Sequence, residues 1–310
     1  MTSKTSNTAT RSGWQWRFRR FGHKYGTGLM FFLPFFTLFA LFIIVPVIIS
    51  FATSLCRYDL INAPKWAGID NYIHVFLEDD VFLTALKNTL TIAIISGPAG
   101  YLASFLMAWF INQVRFKRLY SLAFYAPSIC SAIAMSAVWL YLFSGDRYGF
   151  INNFLMQIGA ITEPVQWNTD IQTILPVVIL ISVWMSMGSG FLVFLAGFQN
   201  IPRSLYEAAK VDGIRNPVQE LIYITLPAMK PQLLFGAINS IMGAFAAFDV
   251  PVAVSGMPSP GYASHTLVAH LYDYAFIRFD MGNASTVAVL LFTLTFVLQR
   301  ICFKIFAEKE

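Results

Sequence analysis

Charge is what this chain of 310 residues has least of. Only 12% of it is Asp, Glu, Lys or Arg, where a soluble domain carries about 25%. Hydrophobic residues reach 57% and mean hydropathy is +0.61, which excludes an ordinary water-soluble globule. Cysteine is also scarce. Cys56, Cys130 and Cys302 stand far apart with no C-x-x-C spacing, so a disulfide framework and a thiolate metal set are both excluded, and the three read as small apolar fillers. The four histidines are scattered. His265 and His270 are five apart instead of the four that would put two ligands on one helix face, so solvent or loop contact is expected for both. There is no G-x-x-x-x-G-K loop, no nucleophile elbow and no H-E-x-x-H helix. These absences exclude a catalytic residue set, a metal centre, a resident cofactor and ATP hydrolysis by the chain itself. No short-period repeat or low-complexity linker divides it, and a single membrane domain is the economical reading.

What the chain has instead is long apolar runs. A helix needs roughly 20 apolar residues to cross about 30 Å of hydrocarbon. Six runs qualify, at 28–52, 84–111, 119–143, 173–198, 231–254 and 284–303, and they predict an all-α integral membrane protein with six transmembrane helices. Loops on the cytoplasmic side collect Lys and Arg. Sixteen of the 21 basic residues fall in residues 1–27, at 115–118, around 203–230 and at 300–309. The opposite loops hold only Arg57, Lys65, Lys87, Arg147 and Arg278, set among ten acidic residues. Both termini are therefore expected in the cytoplasm. This asymmetry accounts for the net charge of +5 without a nucleic-acid partner. Residues 1–27 read as a basic tail and not as a signal peptide, because the apolar run that follows is too long. The expected division is a tail at 1–27, a six-span membrane domain at 28–303 and a short tail at 304–310.

The polar stretch between the fourth and fifth runs, residues 203–227, looks built to be gripped. It contains Y-E-A-A-K-V-D-G-I-R-N-P-V-Q-E-L-I-Y-I-T-L-P at 206–227. Ser204 followed three places later by Glu207 has the form of a capping box. Ala208 and Ala209 allow close approach of another surface, and the Asp212-Gly213 break supplies a turn. An ordinary capped loop helix accounts for Ser204 and Glu207 equally well, but not for the whole run through Leu226-Pro227.

That run resembles the E-A-A loop of ATP-binding-cassette importer permeases. Weaker patterns follow the carbohydrate permeases in the right order: W-A-G-I-D-N-Y at 66–72, F-L-T-A-L-K-N-T at 82–89, Trp139 with Phe143, G-F-I-N at 149–152, S-G-M-P at 255–258, Y-D-Y-A-F at 272–276 and M-G-N-A-S at 281–285. The chain is thus similar to the first, maltose-type permease of a heterodimeric pair in a type I carbohydrate importer. The resemblance implies the type I permease fold in the cell (inner or plasma) membrane of a prokaryote, surrounded by lipid bilayer. Its implied partners are a second permease, two cytoplasmic ATP-binding subunits, an extracytoplasmic sugar-binding protein and a sugar substrate. Ser204, Glu207, Ala208, Ala209, Asp212 and Gly213 would form the coupling helix that receives force from the ATPases. The rival within the class is an importer for glycerol phosphate, peptides or amino acids. A multispan membrane enzyme would need a His, Asp or Glu cluster at one membrane face, and none is visible. One departure stands out: ten residues separate Gly213 from Ile224, one more than the family pattern has. The Asn216-Pro217 pair is the expected absorber, since a residue before proline leaves the helical region; the orientation of 220–223 is left open.

Substrate chemistry is read from what the runs lack. Ionisable side chains inside spans are costly and by default functional. Only Lys87 and Asp249 come close, each near the outer surface, where an interfacial role serves as well. A path without buried charge suits neutral polyols. Trp184, Met185, Ser186 and Ser189 in the fourth run, and Asn239, Met242, Gly243 and Ala246 on one face of the fifth, are the candidate path residues. Asn239 and Ser186 lead them. Gly188, Gly190 and Gly243 serve helix packing equally well, because small residues let helices approach in lipid.

Overall fold

The computed structural model describes residue 28 and residues 30–306, less the side chains of residues 127, 132, 133, 189, 305 and 306. The basic tail expected at 1–27 and the last four residues lie outside the described residues. Two units are recognised, residues 1–52 and 53–310. The first is represented by most of α1 (Met30–Thr53), whose mean hydropathy is 2.8 and whose most apolar stretch buries no residue. Phenylalanines four apart stack along it, Phe32 on Phe36 at 5.5 Å and Phe35 on Phe39 at 6.0 Å. An apolar helix with so little protein cover is stable only in lipid or against another chain.

In the second unit, a two-residue strand pair, β1 (Cys56–Arg57) and β2 (Lys65–Trp66), precedes a short helix α2 (Asp70–Ile73) and the long α3 (Asp80–Gln113). Then come α4 (Lys117–Ile129), α5 (Ala132–Leu142), α6 (Phe150–Gln157), α7 (Ile171–Asn200), α8 (Arg203–Val211), α9 (Pro217–Glu220), α10 (Lys230–Phe245), α11 (Asp249–Ser255), α12 (Leu267–Tyr272) and α13 (Met281–Phe306). Among the described residues five stretches are long and apolar enough to cross a membrane: α1, α3, α7, residues 230–255 and most of α13. The run expected at 119–143 is helical in two pieces. The chain breaks at Cys130-Ser131, where the Ser131 hydroxyl caps α5 by accepting from Ala134 N at 3.2 Å. The 230–255 stretch is broken too, at residues 246–248. Non-helical backbone at membrane depth is tolerated where it lines a cavity or is buried in protein.

Helices α3 and α7 form the central pair, and small residues set their distance. A Cβ on Gly100 would overlap Ser186 Oγ, and one on Gly190 would stand 2.9 Å from Ser104 Oγ. The Ser104 hydroxyl donates to Met187 O across the pair at 3.2 Å. At one end of the pair, Phe105, Phe191, Phe194, Phe198 and Met229 make a buried cluster, with Phe105 edge-on to Phe194 at 5.4 Å.

The outer patterns of the sequence are hydrogen-bond anchors. Asn88 Nδ2 donates to Tyr262 O (2.8 Å) and His265 O (3.1 Å), and Leu267 N donates to Thr89 Oγ1 (2.8 Å), so the N-T of 88–89 fastens the segment before α12 to α3. Asn152, fully buried, takes up the 144–167 loop: its amide donates to Ser144 O, Asp146 O and Val165 O, while its oxygen accepts from Val165 N and from Trp167 Nε1. Each bond contributes about 1 kcal/mol net. Asp70 and Asn71 do not cap α2; its N-cap is Ile69, without a side-chain bond. Asp70 pairs instead with Arg57 at 3.0 Å. Asn71 turns inward to donate to Ser54 O and Cys56 O. A cross-chain partner outcompeted the local cap in both cases.

Candidate functional site

The polar loop after α7 begins where Ile201 goes extended (φ −73°, ψ 123°) ahead of Pro202, as a residue before proline tends to. Helix α8 then starts at Arg203, with Pro202 as N-cap and no side-chain capping bond. The expected capping box of Ser204 and Glu207 is therefore not formed: proline sets the entry one residue earlier and leaves Ser204 inside the first turn. Ser204, Glu207, Ala208, Asp212 and Gly213 are exposed, and Ala209 is buried. Leu205 (46% exposed) and Val211 (88%) add apolar surface to the same short helix.

Gly213 ends the helix at φ +93°. Ile214 N donates to Ala209 O at 2.9 Å and Gly213 N to Lys210 O at 3.3 Å, the two bonds of a Schellman motif. Beyond it, Asn216 is extended (φ −103°, ψ 132°) and caps α9 by accepting from Val218 N, with Pro217 in the first helical turn. Residues 221–225 then form a single wide π turn, a device that accommodates one extra residue within a continuing helix. Between Gly213 and Ile224 the chain thus has a break at Asn216-Pro217 and a wide turn after it. Tyr223 is left exposed and Glu220 half-buried.

Tyr206 and Thr225 were not singled out in the sequence, yet they hold this loop to the membrane helices. Their hydroxyls bond at 3.0 Å, Thr225 is buried and also donates to Glu220 O. Tyr206, Leu221 and Leu226 pack on the Phe105–Phe198 cluster. The signal was available: Tyr206 and Ala209 are three apart and share the apolar face of α8.

The second site is a cavity of about 740 Å³, within the range of about 300–1,000 Å³ found for small-molecule sites. Walls come from α3, α7, α10, the 246–248 break and the start of α11. Of the predicted path residues, Met185, Ser186, Asn239, Met242, Gly243 and Ala246 line it. Trp184 does not. It meets Trp139 edge-on at 6.0 Å and faces a small crevice with Phe124 and Ser128. The Ser189 side chain lies outside the described residues. The three glycines separate by role. A Cβ on Gly188 would overlap Ser128, so it serves packing; Gly190 abuts Ser104 and also lines the cavity; Gly243 has nothing within 4 Å of its would-be Cβ and opens to the cavity.

Most hydroxyls of the wall are already committed. Ser240 donates to Gly97 O (2.8 Å), Ser186 to Val183 O (2.8 Å) and Tyr101 to Leu233 O (3.2 Å). Ser182 Oγ is buried without a partner among the described residues. Asn239, Met242, Gly243, Ala246 and Asp249 are exposed, forming a strip that reaches past the helix break. Asp249, read from sequence mainly as interfacial, lines the same cavity as Asn239.

A third cluster corrects the reading of the histidines. His265 and His270 are both buried, with ring centroids 5.6 Å apart. His270 Nε2–H donates to Asp79 Oδ2 at 2.7 Å, Tyr274 OH donates to the same oxygen at 2.7 Å, and Asp79 Oδ1 accepts from Val81 N and Phe82 N. Burial would raise the Asp79 carboxyl, but the Tyr274 hydrogen bond and the attraction of His270 hold it below its ordinary value. Burial pulls His265 down to about 4, with His270 adding repulsion. Burial also lowers His270, against the pull of Asp79. The cluster ties the start of α3 to α12. Among the described residues no group of three His, Cys, Asp or Glu is placed to hold a metal ion.

Comparison with known proteins places these features in context. A family model described as "Binding-protein-dependent transport system inner membrane component" matches residues 96–308. The probable ABC transporter permease protein YesP of Bacillus subtilis (strain 168) is 35% identical, over 89% of this chain and 89% of its own. The arabinooligosaccharides transport system permease protein AraP of the same organism is 30% identical, over 96% of this chain and 93% of its own. Among solved structures, a chain of a bacterial ABC transporter involved in the import of the acidic polysaccharide alginate superposes with a TM-score of 0.79 at 21% identity, covering 94% of this chain and 98% of that one.

Proposed function

We infer the function from the premise that this chain belongs to the binding-protein-dependent transport system inner membrane components, whose relatives are permease subunits of ATP-binding-cassette importers. It is a permease and not an enzyme: it forms a translocation path, and the energy comes from ATP hydrolysed elsewhere. Its substrate is a neutral sugar or oligosaccharide. The observation that carries this reading is the cavity between α3, α7 and α10, walled by serines, glycines, Asn239 and aromatic rings, with a single ionised residue, an acid. Hydroxyl and amide groups suit a polyol. A phosphate ester or an amino-acid carboxylate would find no cation among these walls. The relative that serves arabinooligosaccharides supports the same class.

In the complete importer this chain pairs with a second permease that closes the open side of the cavity. Two cytoplasmic ATP-binding subunits grip α8 through Glu207, Ala208, Asp212 and Gly213, and Tyr206 with Thr225 carries their motion to α3 and α7. An extracytoplasmic sugar-binding protein docks outside. Residues 28–303 form the permease domain between two cytoplasmic tails, in the inner or plasma membrane of a prokaryote. Counting α4 and α5 together as one crossing makes six spans and returns both termini to the cytoplasm.

Reconstitution with the second permease, both ATPase subunits and the cognate binding protein tests the function. A neutral oligosaccharide is expected to stimulate ATP hydrolysis and to enter the vesicles. Import of glycerol phosphate or a peptide in its place would overturn the reading. Orientation has a separate test, in a background lacking the three native cysteines. Cysteines at Lys117 and Arg215, both exposed, are expected to escape an impermeant thiol reagent in intact cells, and one at the exposed Asp146 to react. Reaction at Arg215 but not at Asp146 would invert the topology. Asp79, a natural choice from charge counting, is a poor probe because it is buried in the histidine cluster.

A further inference from the structure

The charge balance of the cavity is lopsided. Among the described residues its lining holds one carboxylate, Asp249, and no Lys, Arg or His. The break at 246–248 brings this residue into the wall. Helix α10 ends at Phe245, the backbone turns through Phe248 (φ −134°, ψ −55°), and α11 starts at Asp249, which is exposed to the cavity. The turn is held in place by Thr266, whose hydroxyl donates to Ala247 O at 2.8 Å, and by Phe248 against Tyr272 at 5.3 Å. An apolar residue would serve packing equally well at a wall position left exposed. A bare carboxylate in a cavity without countercharge does something else: it sets the sign of the potential that an entering solute meets.

We propose that Asp249 is a charge filter in the outer part of the cavity, which accepts hydrogen bonds from the hydroxyls of neutral oligosaccharides and repels those carrying uronate or phosphate groups. The proposal rests on the reading of this cavity as a sugar path and adds the residue that decides between neutral and anionic sugars. It follows in the sequence on the Asn239, Met242, Gly243 and Ala246 strip, between that strip and the outer segment 256–265. A solute arriving from outside therefore meets Asp249 before Asn239.

The test uses the whole importer with Cys56, Cys130 and Cys302 replaced and a cysteine introduced at Met242, which lines the cavity and is 50% exposed. A cationic thiosulfonate reagent is expected to modify this thiol faster than an anionic one. Asp249→Asn should shrink the ratio of the two rates by about tenfold, as removal of a partly screened charge from the same cavity requires. A ratio unchanged within about twofold overturns the proposal. Should Asp249→Asn fail to assemble, raising the ionic strength must compress the ratio in the protein that retains Asp249, and a salt-insensitive ratio overturns it equally. A second readout compares uptake of a neutral oligosaccharide with that of its C6-carboxylate analogue. The binding protein is the same in both importers, so the quotient of variant to parent for each sugar isolates the permease. Asp249→Asn is expected to raise the quotient for the acidic sugar relative to the neutral one, and equal quotients count against the filter. If the parent importer moves neither sugar while the thiol ratio still answers to Asp249, the potential stands and the sugar reading fails.

Discussion

Gly213→Val is expected to abolish ATP-driven uptake while leaving the membrane domain inserted. Gly213 has φ +93° and nothing within 4 Å of a would-be Cβ, so the effect of valine is one of backbone and not of crowding. A left-handed conformation costs a residue with a side chain roughly 1–2 kcal/mol, and more when it is β-branched. Relieving that strain means giving up the two Schellman bonds from Ile214 and Gly213. The exit direction of α8 would then change, and with it the register between the exposed Glu207–Ala208 surface and the Tyr206–Thr225 link. A few kcal/mol at an exposed loop leaves the buried α3–α7 packing untouched. Substrate-stimulated ATP hydrolysis and retention of the ATPase subunits on the purified permease are the measurements. Glu207→Lys, at an exposed position with no structural bond to lose, should weaken that retention in the same way. Normal stimulated hydrolysis in Gly213→Val complexes would show that the turn transmits no force.

Asn239→Leu is expected to lower transport by about tenfold or more while basal ATP hydrolysis and assembly persist. Asn239 is exposed on the cavity strip next to Met242 and Gly243, so leucine removes a donor and an acceptor without a clash. Hydrogen bonds that a site is built to make are worth about 1–3 kcal/mol when lost, through the groups left unpaired, which sets the expected fall. Ser186→Ala is a useful contrast. The Ser186 hydroxyl already donates to Val183 O and lies against Gly100, so its loss should cost less than that of Asn239. Unchanged uptake in Asn239→Leu at normal expression would remove this residue from the substrate path.

The two kinds of site differed in legibility for a physical reason. The loop was legible because its chemistry is local: a glycine at a turn, small alanines and a proline that stops a helix act within a few residues of themselves. Even so, the cap went to Pro202 and not to Ser204, since two local rules competed at adjacent positions and proline fixes its own φ. The cavity was half legible. Helical spacing grouped Asn239, Met242, Gly243 and Ala246 correctly on one face, but spacing alone cannot say which way a face points, and Trp184 turned to Trp139 instead. The histidines were misread because five residues of separation look unproductive on one continuous helix. His270 is buried against Asp79, a residue far away in sequence, and His265 lies edge-on to His270.

By itself the sequence determined that the chain is a membrane protein, where its apolar runs lie and where one polar loop turns between two of them, because hydropathy and turn chemistry are properties of a residue and its near neighbours. Only the tertiary structure decided that the 119–143 run is broken, that Tyr206 bonds Thr225, that Gly188 packs while Gly243 lies open, and that Asp249 joins Asn239 in one cavity. Each of these turns on which segments meet. In lipid, where apolar surface gains little by choosing one helix over another, that choice falls to small residues and hydrogen bonds between helices, whose partners a linear chain does not name.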